Sequence, residues 1–272
     1  MNYSIGEVSA LLNISRDMIR YYEKQGAIKI GRKSDNNYRK YDSMDVFWLL
    51  ETMQHKSWGM PINEIAGIRG NDFSSNTEKF LQKEAARLEV EHRYNQMLAD
   101  RLKSLGDDLI LCQLNIGNYW VEKTEPEYRC HLATGRRDEY ERIDLNEDAS
   151  RYFFSERCMP FFECGFSADY SIDESNGAVE WEMIIRKKYT DVIAETLPEA
   201  SCEIPGGICL CTYSDIGEIG AFNMQDISAL IRYAEARGYT FVKSEKIRAR
   251  IIGRGYEDNT MRRIIKLCIP IS

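Results

Sequence analysis

From Thr77 to Leu109 the chain contains no proline, is rich in helix formers, and sets Leu81, Leu88, Asn95, Leu102 and Leu109 at intervals of seven. Leu98 and Leu105 fill the alternate positions of the later heptads, while Glu84 and Glu91 interrupt the seam. This is coiled-coil spacing, and it separates an N-terminal third from a C-terminal half of different character. Taken alone, the run is either a dimerisation helix or a helix packed on its own domain. Asn95 on the seam would set register against a partner. Gly106 weakens the run by about 1 kcal/mol relative to alanine and loosens its end.

Ahead of this helix, Ile5, Val8, Leu11 and Leu12 recur on one side of a short helix. Asn13-Ile14-Ser15 breaks the pattern, and Ser15 is a good cap for the next helix. There Met18, Ile19 and Tyr22 form the buried stripe, Arg16, Arg20 and Lys24 stack along the opposite side, and Gly26 ends the element. The pair reads as a helix-turn-helix. Ala27 to Ile30 has strand character, "SDNN" is turn chemistry, and "YRKY" returns as a strand. That hairpin, basic at Arg32, Lys33, Arg39 and Lys40, is the wing of a winged helix. A helix capped by Ser43 then carries Val46, Phe47, Leu49, Leu50 and Met53, and a shorter one follows Pro61.

The charge is uneven. Eight Lys/Arg stand against three acids between Arg16 and Lys40, in a chain whose net charge is -7. Such a patch is either a footprint for a polyanion or a solvated helix face. The length favours two domains and a connector. No apolar run approaches the roughly 18 residues of a membrane span, and "MNYSIGEVSA" lacks the pattern of a secretory signal, so a cytoplasmic protein without a membrane partner is expected. None of the eight cysteines forms a C-x-x-C pair. Cys209 and Cys211 share one face of a strand and read as core, with a metal or redox role as the alternative.

In the C-terminal half, "YRCHLATG" reads as a strand, "EYERIDLNEDASRYFFSER" as helical, and "PFFECGFSADY" and "AVEWEMIIRKKY" as strands. After "EIPGG" the order recurs: "ICLCTYS", an amphipathic helix through Ile227, Leu230, Ile231 and Ala234, then "KIRARII" and "RRIIKLCIPI". The expectation is two β-α-β-β repeats forming one curved sheet with helices on one side.

"YSIGEVSALLNISRDMIRYYEKQGAI", "NNYRKYDSMDVFWL" and "KSWGMPINEI" together resemble the DNA-binding domain of the MerR family of bacterial transcription regulators. Asn36-Asn37 stands where that family prefers Asn-Gly, and a proline usual after the second helix is absent. The resemblance implies that Arg16 and Arg20, with Ser15 and Lys24 on the same helix, face bases or phosphates. It implies that Tyr21, Tyr22, Tyr38, Arg39, Tyr41 and Lys56 bind the DNA backbone or brace the wing; Tyr22 is equally readable as core. It further implies a homodimer joined by the long helix, double-stranded promoter DNA and RNA polymerase as partners, and activation by distorting an over-long promoter spacer.

"IPGGICLCTYSDIG", "ALIRYAEARGYTFVKSEKIRARII" and "KLCIPI" resemble the gyrase-inhibitor-like effector domain of multidrug-responsive regulators. This implies a small-molecule effector, amphipathic or aromatic, held in a cleft between the repeats. Tyr152, Phe162, Trp181, Glu182, Tyr213, Phe222, Arg248 and Tyr256 are the candidate contacts, although any aromatic on a strand also reads as core. Arg248 stands where cation-binding relatives carry glutamate, which favours a neutral or anionic effector unless Glu163, Glu180 or Glu182 turns into the cleft. Arg248 and Arg250 share a strand face and either meet one anionic group or point to solvent.

The expected organisation is multidomain α and α+β: a winged helix-turn-helix at 1–75, a coiled-coil dimerisation helix at 76–112, and an α+β effector domain of two β-α-β-β repeats at 118–272. No catalytic residue, metal or cofactor is expected. The alternatives are a hydrolase using Glu182 and Tyr213, or a metal- or redox-responsive regulator with Cys112 near the end of the coiled coil.

Overall fold

The computed structural model describes residues 2–29, 39–68, 73–136, 139–140, 142–143, 145–172, 177–193, 195–218, 222 and 224–272, without the side chains of 73–76 and 140. The chain divides into two compact units, Met1–Glu91 and His92–Ser272. Among the described residues, no helix is long and apolar enough to cross a membrane.

In the first unit, strand β1 (Tyr3–Ser4) leads into helix α1 (Ile5–Leu12) through a capping box. The Glu7 amide donates to Ser4 Oγ (3.3 Å), and the Ser4 amide donates to the Glu7 carboxylate (2.7 Å). Asn13 ends α1 in the left-handed region, φ 52°, a conformation asparagine tolerates. Helix α2 (Arg16–Lys24) begins at Ser15, whose Oγ accepts from the Met18 amide at 3.0 Å. Strand β2 (Lys40–Tyr41) pairs with β1, Tyr3 opposite Tyr41. Ala27 to Lys29 are not a strand; Ala27 and Ile28 are core residues, and residues 30–38 of the expected wing, with Arg32, Lys33 and Tyr38, lie outside the described residues.

Helix α3 (Ser43–Ser57) is capped one residue earlier than expected. Asp42 accepts from the Asp45 amide and Asp45 returns the bond (2.9 Å each), so a second capping box replaces the Ser43 cap. Helix α4 (Ile62–Ile68) follows Pro61. Val8, Ile19, Tyr22, Tyr41, Leu49, Met60 and Ile65 meet in one core, so each helix contributes part of its expected apolar stripe, while Leu11, Met18, Phe47 and Leu50, expected on those stripes, are exposed.

Helix α5 spans Phe73–Asn115. Beyond it come β3 (Tyr119–Lys123), β4 (Glu127–Arg136), β5 (Glu139–Tyr140), α6 (Glu147–Phe153), β6 (Glu163–Ala168), β7 (Ala178–Arg186) and α7 (Lys187–Ile193). The remainder is β8 (Cys202–Ile204), β9 (Ile208–Asp215), α8 (Gln225–Ala236), β10 (Ile247–Glu257) and β11 (Thr260–Pro270). The two β-α-β-β units are present as β4-α6-β6-β7 and β9-α8-β10-β11. Several details differ from expectation. Only 147–153 of the predicted first helical stretch is helix, and that stretch begins as the strand β5. The β7 strand ends at Arg186 where α7 takes over, and β3 and β8 are strands the sequence reading does not include.

Among the described residues, the nine strands β3 to β11 form one antiparallel sheet in the order β3-β9-β11-β10-β6-β7-β4-β5, with β8 against β4. The repeats join where β6 pairs with β10, Ala168 opposite Ile247. One face is apolar and packs α8 over Phe166, Trp181, Leu210, Ala249 and Leu267, and α6 and α7 over Met183 and Ile185. The other is polar. Cross-strand partners share a face, so the register puts Trp120, Cys211, Cys268, Arg248, Ser167 and Glu180 in one row across it. The His92–Asn115 part of α5 reaches this polar face, where Arg101 Nη2 lies 3.2 Å from Glu163 Oε1 and Tyr213 Oη donates to Asp108 (3.3 Å).

Gly165 sits at the junction of the repeats. A Cβ there would lie 2.0 Å from the Ala249 carbonyl oxygen and 2.8 Å from Ile184. Because one obstacle is backbone, G165A is expected to destabilise the sheet unit by about 1–3 kcal/mol or more. Urea unfolding followed by hydrogen exchange of β6 and β10 measures it, and unchanged protection contradicts the close approach.

Candidate functional site

In the first unit, the buried side of α2 is occupied by Ile19 and Tyr22, which leaves Arg16, Arg20, Tyr21 and Lys24 exposed on the other. Arg20 Nη1 is held by Asp17 at 2.9 Å, an exposed pair of small energetic weight. Arg16 lies across α1 at Gly6, where a Cβ would approach its Nη2 to 3.0 Å. Arg39 Nε reaches Glu23 at 2.7 Å and so ties the chain before β2 to α2. Lys56, exposed at the end of α3, donates to the Met60 carbonyl at 3.3 Å.

The tyrosines divide. Tyr21 is exposed, whereas Tyr22 and Tyr41 belong to the core. Burial pushes the Tyr41 hydroxyl pKa up, and its oxygen has no hydrogen-bond partner among the described residues. Tyr41 and Tyr22 therefore belong to the packed base of the unit, and Arg16, Arg20 and Lys24 face outward.

The second unit contains an apolar cavity of about 370 Å³ on the helix-bearing face. Leu132, Cys164, Trp181, Ile251 and Ile265 form its walls, and Arg254 and Arg263 stand at it. The two arginines are direct cross-strand partners. Like charges placed opposite each other repel, so the pair gives this end of the cavity a positive bias. Arg263 donates to the carbonyls of Gly217 (2.7 Å) and Glu218 (2.6 Å). No carboxylate lines the cavity among the described residues.

Of the eight candidate contacts, Trp181 lines this cavity, and Phe222 stands behind it with ring centroids 6.5 Å apart. Tyr152 belongs to the separate cluster of α6 and α7, and Phe162 packs at the edge of the same cluster. Tyr256 is 77% exposed near the end of β10. Glu182, Tyr213 and Arg248 are on the polar face. The structure thus does not bring Tyr152, Trp181 and Tyr213 to one cavity. Arg254 and Arg263 were not singled out from sequence; the turn at Asp258-Asn259, with φ 49° and 63°, was the signal that pairs them.

The polar face is laced by ion pairs. Glu182 meets Arg129 (2.6 Å), Arg129 meets Glu127 (2.7 Å), and Glu127 meets Arg250 (2.8 Å). Arg250 in turn lies 3.6 Å from Glu163, which also holds Arg186 at 3.0 Å. Arg248 is buried, 3.4 Å from Glu245, with Nη2 3.3 Å from Cys209 Sγ. Neither Arg248 nor Arg250 points to solvent, which corrects that expectation. Glu182 and Tyr213 sit four strand steps apart, about 19 Å at the usual spacing, so they do not act on one substrate atom.

A capped helix pair with an outward row of cations on the second helix is a helix-turn-helix unit. Residues 3–70 match the model of the MerR HTH family of regulatory proteins, so this unit is a helix-turn-helix of that family; the match ends at residue 70 of 272. No curated protein matches the chain. Among solved structures, the chain is similar to EcmrR in its DNA complex (15% identity, 99% of each chain, TM-score 0.34). It is similar to a MerR family transcriptional regulator from Listeria monocytogenes (29% identity, 41% of this chain and 91% of that one, TM-score 0.32). It is also similar to a hydrolase from Listeria innocua (10% identity, 58% and 93%, TM-score 0.32). At TM-scores below 0.5, none of these three likenesses bears on this chain's fold or function.

Proposed function

We propose that the protein is a dimeric, cytoplasmic transcription regulator that binds promoter DNA through α2 and answers to a small molecule held in the second unit. The carrying observation is the exposed row Arg16, Arg20 and Lys24 on a capped helix within the segment that matches a family of regulatory proteins. Paired recognition helices read half-sites related by a dyad, and phosphate neutralisation makes such binding salt-dependent. Activation would proceed by distorting the promoter spacer for RNA polymerase. Transcription in vitro from a promoter selected by the protein, with and without ligand, tests the regulatory reading. An unchanged transcript level in every condition contradicts it.

The dimer rests on α5. Leu81, Leu88, Asn95 and Leu102 are exposed, Leu88 at 53% and Leu102 at 59%, which leaves these seam positions open to a partner helix, whereas Leu98 packs on the sheet unit and Leu109 lies against Gly253. L88K/L102K is expected to sediment as a monomer where the wild type sediments as a dimer. A variant that stays dimeric contradicts pairing through this seam.

For the ligand, the apolar walls with Trp181, and the opposed pair Arg254 and Arg263, favour an amphipathic anion over a cation. Calorimetry with 2-naphthoate is expected to give a binding isotherm that is lost in W181A, while 2-naphthylmethylammonium gives none. Binding of the amine but not the acid contradicts the assignment of charge.

A further inference from the structure

A second, smaller chamber of about 20 Å³ opens on the polar face of the sheet, lined by Thr124, Arg248, Lys266 and Cys268 among others. It exceeds the roughly 10–15 Å³ that one water-sized molecule occupies. Two features make it more than a packing gap. Arg248 Nε is buried with no partner among the described residues, which leaves a hydrogen-bond donor unspent at the chamber. Cys268, also on its wall, lies directly opposite Cys211 on β9, with the two sulfurs 3.2 Å apart.

Directly opposed residues of antiparallel strands have Cα atoms about 4.5 or 5.5 Å apart, and both spacings fall within the range a disulfide spans. The surroundings favour a thiolate at Cys268. Cys211 donates its S–H to it, and Lys266 and Arg250 add positive charge, which together pull the Cys268 thiol below its ordinary pKa despite burial. Glu122 has an oxygen near both sulfurs, but it is engaged by Lys266 (2.8 Å) and by Trp120 Nε1 (2.8 Å). With Lys266, Arg248 and Arg250 around the pair, the site disfavours a metal cation.

We infer that Cys268 and Cys211 form an oxidation site for a small hydroperoxide, hydrogen peroxide being the simplest, admitted to the chamber beside Arg248. The Cys268 thiolate attacks one peroxide oxygen; the O–O bond breaks, sulfenic acid forms, and hydroxide leaves. The Cys211 sulfur then attacks the Cys268 sulfur, the S–S bond forms, and the S–O bond breaks. The departing hydroxide and the first one take up the Cys211 proton and a solvent proton as two waters. Two electrons pass from the sulfurs to the peroxide. Tyr213, two residues from Cys211 on the same face, holds Asp108 of α5, so the bond would form beside a contact between sheet and helix.

The test uses the full-length chain carrying C202S, which removes the exposed thiol, treated with hydrogen peroxide and mapped by mass spectrometry under alkylation. The expected result is an intramolecular link between peptides bearing Cys211 and Cys268. The link persists in C209S and is lost in C211S and C268S, and C211S accumulates a sulfenic acid at Cys268 that a dimedone reagent traps. Circular dichroism checks that each variant is folded. Free Cys211 and Cys268 after exposure that oxidises glutathione would overturn the inference, as would a link to Cys209 instead. Retention of a stoichiometric zinc ion that protects both thiols would overturn it in favour of a metal site.

Discussion

Replacing Arg16 and Arg20 together by alanine is expected to lower affinity for the specific operator at least 100-fold while leaving the folded unit intact. A well-placed arginine contact to a base edge contributes about 1–3 kcal/mol of discrimination, so two of them account for a loss of this size. The stability side of the argument comes from the structure. Neither side chain is in the core, and the Ser15 cap and the Ile19 and Tyr22 contacts survive the change. The Arg20–Asp17 pair is exposed at both ends and contributes little. Surface changes of this kind alter stability within about 0.5 kcal/mol. Fluorescence anisotropy across a salt series, beside thermal unfolding, separates the outcomes. A lower affinity with a shallower salt slope supports phosphate or base contact. An unchanged affinity removes α2 from the DNA interface.

E127Q is expected to be the most damaging single substitution in the sheet unit. Glu127 is 1% exposed and bridges Arg129 and Arg250. Arg129 retains Glu182, but Arg250 is left with Glu163 at 3.6 Å. Removing one partner of a buried pair costs about 3–5 kcal/mol, because the remaining charge stays desolvated. The acid's titration gives a second readout. Burial alone would raise its pKa, but Arg250 and Arg129 outweigh it and hold the carboxyl at about 2 against an ordinary 4.5. A depressed folded value means the stabilisation is complete above 4.5 and disappears as pH falls towards 2. That difference corresponds to stability on the order of 3 kcal/mol. Wild type should therefore lose stability on acidification more steeply than E127Q, with the gap between them largest at neutral pH. Hydrogen exchange of β4 and β10 amides in urea measures both. A pH-independent gap contradicts the titration, and no gap contradicts the ion-pair role.

The first unit was the more legible half because its information is local. A cap such as Ser15 and a stripe such as Ile19 and Tyr22 act within one or two helical turns, so side-chain type and spacing suffice. The misplaced cap at α3 shows the limit: Ser43 is as good a capping residue as Asp42, and only the reciprocal bond from Asp45 decides between them. In the second unit the order of elements was readable, since each strand and helix carries its own period. The sites were not. Trp181 and Tyr152 are both buried aromatics, yet Trp181 lines the apolar cavity and Tyr152 belongs to the separate cluster of α6 and α7. The difference depends on the β6–β10 junction, which pairs residues nearly eighty positions apart. Arg254 and Arg263 come together through a bulge between Ile251 and Gly253 that resets the register. The Arg248–Cys268–Cys211 row likewise exists only once three strands are aligned.

The most direct test of the account is a footprint. Genomic fragments selected by the purified protein would be mapped at nucleotide resolution, with R16A/R20A as the control. The account predicts protection of a dyad-symmetric site between the two promoter elements, lost in the variant. Protection with no symmetry, or no sequence-specific protection at all, would contradict a dimeric promoter-binding regulator.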